Sequence, residues 1–298
     1  MKSLPIAVLA AGALYLAVVH SQGLAQETSK KPAGKIYLVG MGPGDPDLMT
    51  LRAAQVIRSA DKVFCSSGTG QQVKPMARPD AVEEVPHVPK RLYGKRRSPA
   101  LPEGERAKGG QTRDAESQEA EKNRQETTKR FEAFAVRVRR LVADGKTVAI
   151  LDGGDPLIFG GLAWVTEEFQ DLPLEVVPGV SCFNAANAAL KRDIMWGGKR
   201  CAVLSGGDVL GVPPQDGRMV SPTVFFTHRA PIRELIPRLL ERYPADTPVA
   251  VVSHAGCRDK QQVLQATLET VLNRLGEGAP AHPYLLYVGD ILTLKHTR

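Results

Sequence analysis

Glycine-rich turns follow three apolar segments of the chain, and they are the residues best placed to do chemistry. The first is "GMGPGDP", starting at Gly40; the second is "DGGDPLIFG", Asp152–Gly160; the third is "VVPGVS", Val176–Ser181. Because glycine lacks a side chain, such turns let a ligand approach the backbone closely. In open α/β sheets, ligands bind in the crevice beyond the carboxyl ends of the parallel strands. Three such turns in one half of the chain indicate a site for a flat or extended ligand.

The first turn does not match the common phosphate-binding loops. A dinucleotide fingerprint needs Gly-x-Gly-x-x-Gly, and Asp45 occupies the place of its third glycine, where a carboxylate would repel a pyrophosphate. No Gly-Lys-Ser or Gly-Lys-Thr occurs in this turn, so a Walker loop is excluded there. Asp45 is instead expected to cap a helix that has Pro46 at its first position and Asp47 in its first turn. A tight strand-to-helix turn without a ligand remains the alternative for this segment alone.

Composition and charge restrict the remaining possibilities. The chain has 298 residues, 43% of them apolar, which is enough for one large or two ordinary domains. Its net charge of +7 (39 basic minus 32 acidic residues) suits an anionic partner. The cysteines Cys65, Cys182, Cys201 and Cys257 lie far apart with no Cys-x-x-Cys spacing, which favours buried thiols over a zinc or redox site. We expect no metal site.

Residues 1–25 read as a targeting segment. A basic start, an uncharged apolar run over Leu4–Val19 and a small-x-small site ending at Ala25 predict a signal peptide, and therefore an exported or periplasmic protein. The alternative is an uncleaved inner-membrane anchor. Three lysines between Lys30 and Lys35 would then keep the following domain in the cytoplasm.

From Gly34 onward, strand-like and helix-like segments alternate. This pattern predicts two α/β domains, residues 34–195 and 196–298, joined between roughly Asp193 and Lys199. In the second domain the apolar segments of "KRCAVLSGG", "TVFFT", "TPVAVVSHAG" and "PYLLYVGDIL" are expected as strands. The segments "APIRELIPRLLERY" and "QQVLQATLETVLNRL" are expected as the helices that alternate with them.

A charged insert at about residues 86–130 interrupts the first domain. Residues 90–130 carry twelve basic and seven acidic side chains, a difference of +5, and almost no apolar ones. We expect a flexible loop whose second half leads into the amphipathic helix "FEAFAVRVRRLVADG", which ends at Gly145. Alternatively, the insert holds an anionic surface or the carboxylates of a substrate. Few aromatic residues interleave its charges, so base stacking has no support and no nucleic-acid partner is expected.

These motifs, in this order, resemble those of the tetrapyrrole (corrin/porphyrin) methylase family, the S-adenosylmethionine-dependent methyltransferases of cobalamin and sirohaem synthesis. "VGMGPGDPDLMTLRAAQVIRSAD" resembles the family's opening loop and helix, "LDGGDPLIFG" its GGDP loop, and "EVVPGVSCFNAANAALKRDI" its third motif. The segments "FNAANAALKR" and "APIREL" look most like the precorrin-4 C11-methyltransferase branch. The resemblance covers most of residues 34–298 apart from the insert.

The resemblance implies two α/β domains, usually in a homodimer, with S-adenosylmethionine bound in the cleft between them and a tetrapyrrole as substrate. It places the cofactor contacts at Pro43, Gly153, Gly154, Asp155, Ile158, Ser181, Cys182, His228 and Ala255. Weaker substrate-binding candidates are Gly42 and Gly44 and three arginines that could hold ring carboxylates, Arg52, Arg192 and Arg229. No residue is assigned as catalytic, because methyl transfer to an electron-rich carbon depends chiefly on positioning.

Three residues depart from the pattern of relatives that methylate uroporphyrinogen. His228 stands where those relatives often have Met, and the Cys182 thiol replaces a small neutral residue. Ser66 lies at about the place of an acidic residue after the second strand. The absence of that acidic residue argues against a uroporphyrinogen methylase and leaves no obvious general base. His228 and His254, the candidates for binding a metal held by the macrocycle, are more simply explained as structural histidines.

Two other functions remain open at this point. Relatives of this architecture methylate other acceptors, such as rRNA ribose or a modified histidine of a translation factor, although the motifs here fit those activities less well. The second is an exported tetrapyrrole- or nucleoside-binding protein without turnover. It is suggested by the predicted signal peptide, since S-adenosylmethionine is a cytosolic metabolite.

Overall fold

The first half of the chain forms a parallel five-stranded sheet. The computed structural model describes residues 34–86, 112–195, 201–205, 223–227, 231–278, 280 and 284–293. The strands are β1 (Lys35–Gly40), β2 (Lys62–Cys65), β3 (Val82–Glu84), β4 (Thr147–Asp152) and β5 (Leu174–Val177). Their order is β3-β2-β4-β1-β5, and every neighbouring pair is parallel. The carboxyl ends of all five strands therefore share one edge.

Helices cover both faces of this sheet. The helices in this half of the chain are α1 (Leu51–Ser59), α2 (Ser67–Val73), α3 (Thr112–Ala143), α4 (Val165–Glu168) and α5 (Cys182–Leu190), of which α5 packs on the second sheet described below. On one face, α1 buries Val56 and Ile57 against strand residues such as Val63. On the other, α3 packs Phe134 and Val138 against the sheet. Burial on both faces explains the nearly continuous apolar strands.

The segment after the first glycine turn differs from its prediction. Pro46–Leu48 forms a separate 3-10 turn, and α1 begins only at Leu51, where the Thr50 hydroxyl accepts a hydrogen bond from the Ala53 amide at 3.1 Å. The prediction that the Asp45 side chain caps a helix is wrong. Its carboxylate accepts instead from the backbone amide of Arg258, 2.9 Å away in the second half of the chain.

The charged insert is more ordered than predicted in its second half. Helix α3 begins at Thr112 and runs for 32 residues, so residues 112–130 are helical. The many Glu, Gln, Lys and Arg residues there all have high helix propensity. The predicted end of the helix is confirmed, since Gly145 has φ of +77° and its amide donates to the Val142 carbonyl. Residues 87–111 lie outside the described residues.

A second, mixed sheet follows. Its strands are β6 (Ala202–Ser205), β7 (Thr223–Phe226), β8 (Pro248–Ser253), β9 (Gln262–Thr267) and β10 (Tyr284–Val288), in the order β6-β7-β10-β8-β9. β6 and β7 are parallel, and the other neighbours are antiparallel. The helices α6 (Ile232–Leu240) and α7 (Val271–Leu275) pack on one face. Together with the first sheet, this arrangement confirms the predicted α/β fold class.

One predicted element of the second half is wrong. The segment "QQVLQATLETVLNRL" is not a helix throughout, because its first part is strand β9 and only Val271–Leu275 is helical. All six residues of β9 pair with β8. The ladder hydrogen bonds along the edge of β8 override the local preference of the segment, as tertiary context often does.

Helix α5 connects the two sheets. It directly follows β5, yet Ala186 and Leu190 pack against the second sheet beside Val252. The Tyr287 hydroxyl of β10 donates to the Asn187 side chain at 2.7 Å. The two sheets lie on either side of the boundary expected near residue 195, and the division into two domains stays a prediction. Within the described part of the chain, no helix has the length and apolar character to span a membrane, and residues 1–33 lie outside that part.

Phe134 should be a principal contributor to the stability of the first half. Its ring packs edge-on against Phe64 at a centroid distance of 5.0 Å and lies 6.1 Å from Trp164. We expect Phe134→Ala to lower the free energy of unfolding by about 3–5 kcal/mol, because it leaves a cavity in a close-packed core. Denaturant unfolding measures this change.

Val136→Ala is the matched control, since Val136 lies on the same helix with 66% of its surface exposed. It should change the unfolding free energy by less than about 0.5 kcal/mol. Equal effects of the two substitutions would contradict the packing described for α3.

Candidate functional site

The three glycine turns meet at the carboxyl edge of the first sheet. The amide of Gly154 donates to the Gly42 carbonyl at 2.7 Å, and the Gly42 amide donates to the Gly154 carbonyl at 3.2 Å. Gly179 of the third turn lies so close that a Cβ there would be 2.1 Å from the Gly154 oxygen. A Cβ on Gly40 would be 2.5 Å from the Gly179 nitrogen. The turns therefore pack backbone against backbone, with no room for side chains between them.

Gly153 differs from these packed glycines. No atom lies within 4 Å of the position that a Cβ on Gly153 would occupy, and the residue is exposed. Its neighbour Gly154 has φ of +68°, and a Cβ built on it would lie 3.9 Å from the amide nitrogen of Cys182, at the start of α5. The second turn thus presents bare, accessible backbone at the edge where the three turns meet.

Asp155 ties the second turn to the third. Its Oδ2 accepts a hydrogen bond from the Gly179 amide at 3.2 Å, and its Oδ1 accepts from the Leu157 amide at 2.9 Å. The carboxylate thereby sets the distance between the two turns. Asp155, a predicted cofactor contact, thus holds the second and third turns together in this structure.

Asp152 stabilises the second turn through hydrogen bonds from backbone amides. This residue was not singled out from the sequence. Its Oδ1 accepts from the Gly153 amide at 2.9 Å, and its Oδ2 accepts from the Leu162 amide at 2.8 Å. Burial raises the pKa of this carboxyl, while the hydrogen bonds from backbone amides oppose the rise. The available signal was an acidic residue ending an apolar strand directly before two glycines.

The third turn leads into α5 through a buried hydroxyl. Ser181 caps the helix by accepting a hydrogen bond from the Phe183 amide at 3.2 Å. Cys182 follows at the first helical position, and burial raises the pKa of its thiol above the ordinary value. The thiol is therefore neutral near pH 7 and behaves as a small apolar group.

The loop after β8, from the second sheet, contacts the first glycine turn. Ala255 is buried in it, and a Cβ on the following Gly256 would lie 2.6 Å from Cγ of Pro43. The Asp45 amide donates to the Gly256 carbonyl at 2.8 Å. The predicted contacts Pro43 and Ala255 thus lie on adjoining loops from the two halves of the chain.

Aromatic stacking joins the second turn to the second sheet. Phe159 stacks on Phe226 of β7 with a centroid distance of 4.3 Å and an angle of 16° between the rings. The neighbouring side chains Leu157 and Ile158 are 58% and 44% exposed. The turn therefore offers an apolar wall next to bare backbone, a combination typical of small-molecule sites.

The remaining predicted residues have varied positions. Arg52 lies on α1 and forms an ion pair with Glu175 of β5, which also accepts from Lys35 at 2.6 Å. Arg192 follows α5, and its amide donates to the Asn187 carbonyl at 3.2 Å. Gly44 lies against Cys257 of the loop after β8. His228 and Arg229 lie outside the described residues.

Two further predictions concern acid–base and metal chemistry. Ser66, at the place of an acidic residue in some relatives, caps α2 through the Thr69 amide. Among the described residues, no three His, Cys, Asp or Glu side chains cluster in a way that could hold a metal ion.

Comparison with known sequences identifies the family. Residues 35–272 match the family model of the tetrapyrrole (corrin/porphyrin) methylases. A siroheme synthase of Nitrosospira multiformis is 30% identical over 280 residues, covering 91% of this chain and 52% of that protein. A precorrin-4 C(11)-methyltransferase of Mycobacterium tuberculosis is 36% identical over 176 residues, covering 53% of this chain and 68% of that protein. The chain thus spans about half the length of the siroheme synthases it matches.

Solved structures have the same fold. A uroporphyrin-III-C-methyltransferase from Thermus thermophilus superposes with a TM-score of 0.61 and 28% identity, covering 87% of this chain and 96% of that one. A cobalt precorrin-4 methyltransferase superposes with a TM-score of 0.63 at 18% identity, covering 87% and 96%. The fold, the order of the glycine turns and the family match agree with the predicted resemblance: the chain belongs to the tetrapyrrole (corrin/porphyrin) methylase family, whose cofactor is S-adenosylmethionine.

Proposed function

We propose that this protein transfers a methyl group from S-adenosylmethionine to a ring carbon of a tetrapyrrole, with a precorrin-4-like ring as acceptor. The observation that carries the proposal is the meeting of three glycine turns around the accessible backbone of Gly153, with a loop of the second sheet beside them. We further propose that the protein acts as a homodimer, as the family resemblance implies.

The residues at this edge fit the cofactor chemically. S-adenosylmethionine combines an amino-acid group, a nucleoside and a sulfonium centre, so it needs polar backbone, an apolar wall and close approach. The bare backbone of Gly153 supplies close approach, and the exposed Leu157 and Ile158 side chains supply apolar contact. Gly154, Ser181 and Ala255 add only small side chains or none. We therefore assign the cofactor to the space beside the second turn.

The sulfonium supplies an electrophilic methyl group, so the chain has mainly to position the two reactants. Asp152 and Asp155 hold the second turn in one shape, because their carboxylates accept four hydrogen bonds of 2.8–3.2 Å from backbone amides. The stacked rings of Phe159 and Phe226 hold that turn against the second sheet. Rigid placement of two reactants can lower a reaction barrier by as much as about 7–11 kcal/mol.

The choice of acceptor rests on sequence. The match to the precorrin-4 C(11)-methyltransferase is the more identical one, 36% against 30%, although it is shorter than the match to the siroheme synthase. The segment "FNAANAALKR" that suggested this branch forms α5 and the residues after it, directly beyond the third turn. Incubating the protein with labelled S-adenosylmethionine and either a precorrin-4-like ring or uroporphyrinogen would distinguish these acceptors. Label should be transferred to the precorrin-4-like ring.

A second candidate is an exported tetrapyrrole- or nucleoside-binding protein of the same fold without turnover. The basic and apolar pattern of residues 1–25 favours it, because an exported enzyme would be separated from its cytosolic cofactor. Cell fractionation followed by N-terminal sequencing separates the two. A mature chain outside the inner membrane, starting near Gln26, favours the binding protein, and an intact chain facing the cytosol favours the enzyme.

Calorimetric titration of S-adenosylmethionine and S-adenosylhomocysteine into the full chain tests the cofactor site. Gly153→Leu should weaken binding by at least about tenfold, because the side chain would enter the space assigned to the cofactor. Gly153 is the better position to change than Gly154, whose positive φ would strain any substitution. The unfolding temperature of the variant should stay at the wild-type value.

Gly278→Leu is the matched control, because a Cβ there also meets open space, with its nearest neighbour at 3.9 Å. It should bind as the wild type does. Unchanged affinity in Gly153→Leu would remove the second turn from the cofactor site.

Asp155→Ala should weaken cofactor binding strongly, by about tenfold or more, while the fold stays intact. The substitution removes the acceptor of the Gly179 and Leu157 amides, and a hydrogen bond to a charged group contributes about 1.5–3 kcal/mol. Circular dichroism checks the fold, and calorimetry checks the affinity. Asp171→Ala is the control, since that carboxylate forms an exposed ion pair with Arg139. If Asp155→Ala binds the cofactor as tightly as Asp171→Ala does, Asp155 does not shape the site.

A further inference from the structure

The first glycine turn is bonded to the loop after β8 by three polar contacts. The Arg258 amide donates to Asp45 Oδ2 at 2.9 Å, and the Arg258 guanidinium donates to Asp47 Oδ2 at 2.6 Å. The Asp45 amide donates to the Gly256 carbonyl at 2.8 Å. Residues 43–47 and 256–258, called the joint below, thus link the edges of the two sheets.

The same segments are in tight apolar contact. A Cβ on Gly44 would lie 2.4 Å from Sγ of Cys257, and a Cβ on Gly256 would lie 2.6 Å from Cγ of Pro43. Neither loop can therefore shift without changing its contacts with the other. The position of Pro43 relative to Ala255, two predicted cofactor contacts, is set by this joint.

The Arg258 ion pair is too exposed to be a major source of stability. The side chains of Arg258 and Asp47 are 76% and 58% exposed, and ion pairs of this kind contribute little to folding. The pair nevertheless joins residues that are 211 positions apart in the chain. Its effect should therefore concern how the two loops are placed more than whether the chain folds.

We propose that Arg258 is a positioning residue: through Asp45 and Asp47 it holds the first glycine turn against the second sheet and so completes the cofactor site. The inference rests on the proposed function for its link to the cofactor. The joint itself is a separate claim about the contact between the loops, and it can be tested without any ligand.

The first measurement is the affinity of the full chain for S-adenosylhomocysteine, by calorimetry. Arg258→Ala should weaken binding by about two- to fivefold, the range that an exposed ion pair can supply. Asp45→Ala should weaken it by about tenfold or more, since it removes a charge-assisted hydrogen bond. Exchanging the charges in the double variant Asp47→Arg/Arg258→Asp should recover most of the affinity that Arg258→Asp loses.

The second measurement is the rate at which iodoacetamide alkylates Cys257, followed peptide by peptide in the ligand-free protein. Loss of a nearby cation would by itself raise the pKa of the thiol and slow this reaction. Opening of the joint would expose the thiol and speed it. A faster reaction in Arg258→Ala than in the wild type would therefore report opening and not a change of charge.

Arg78→Ala is the matched control, because Arg78 forms an exposed ion pair with Asp61 at 3.0 Å within the first half of the chain. It should alter neither measurement. If the wild type binds and Arg258→Ala matches this control in both measurements, the positioning inference is wrong and the proposed function stands. If the wild type does not bind but Cys257 still reacts faster in Arg258→Ala, the proposed function fails and the joint stands.

Discussion

The close approach of Gly40, Gly154 and Gly179 is the constraint on which the rest of the site depends. At each of these positions a Cβ would lie against backbone of another turn, and for Gly40 and Gly179 the separation would be below 3 Å. The three turns can make such contact because they lie at one shared edge of a parallel sheet. The carboxylates of Asp152 and Asp155 then fix the shape of the second turn, because they accept hydrogen bonds from backbone amides of the second and third turns and of Leu162.

Local patterns were sufficient to predict the elements that a single stretch of sequence determines. The apolar runs before the glycines predicted the strands, and Gly145 predicted the end of α3, because both depend on neighbouring residues alone. Residue types also indicated the glycine turns as the site. What each residue does there was less predictable: Asp155 could be singled out as part of the motif, but its bond to the Gly179 amide depends on how β4 and β5 flank β1.

The errors share a cause, which is contact between residues far apart in sequence. Asp45 was expected to cap the helix that follows it, yet its carboxylate bonds to Arg258, and Thr50 takes the capping role. The segment around Val263 has a helix-compatible pattern, yet the edge of β8 pairs with it as a strand. In both cases a local preference worth about 1 kcal/mol or less gives way to several long-range hydrogen bonds.

The ion pair between Arg52 and Glu175 bears on how an anionic macrocycle could be held. An exposed pair of this kind is worth only about 0–1 kcal/mol, and the Arg52 side chain is largely exposed. A ligand carboxylate could replace Glu175 at small cost, because Lys35 would continue to balance that residue. Pairing in the ligand-free protein is therefore compatible with the predicted role of Arg52. On the proposed function, recognition of a ring carboxylate would then be an exchange of ion-pair partners at Arg52.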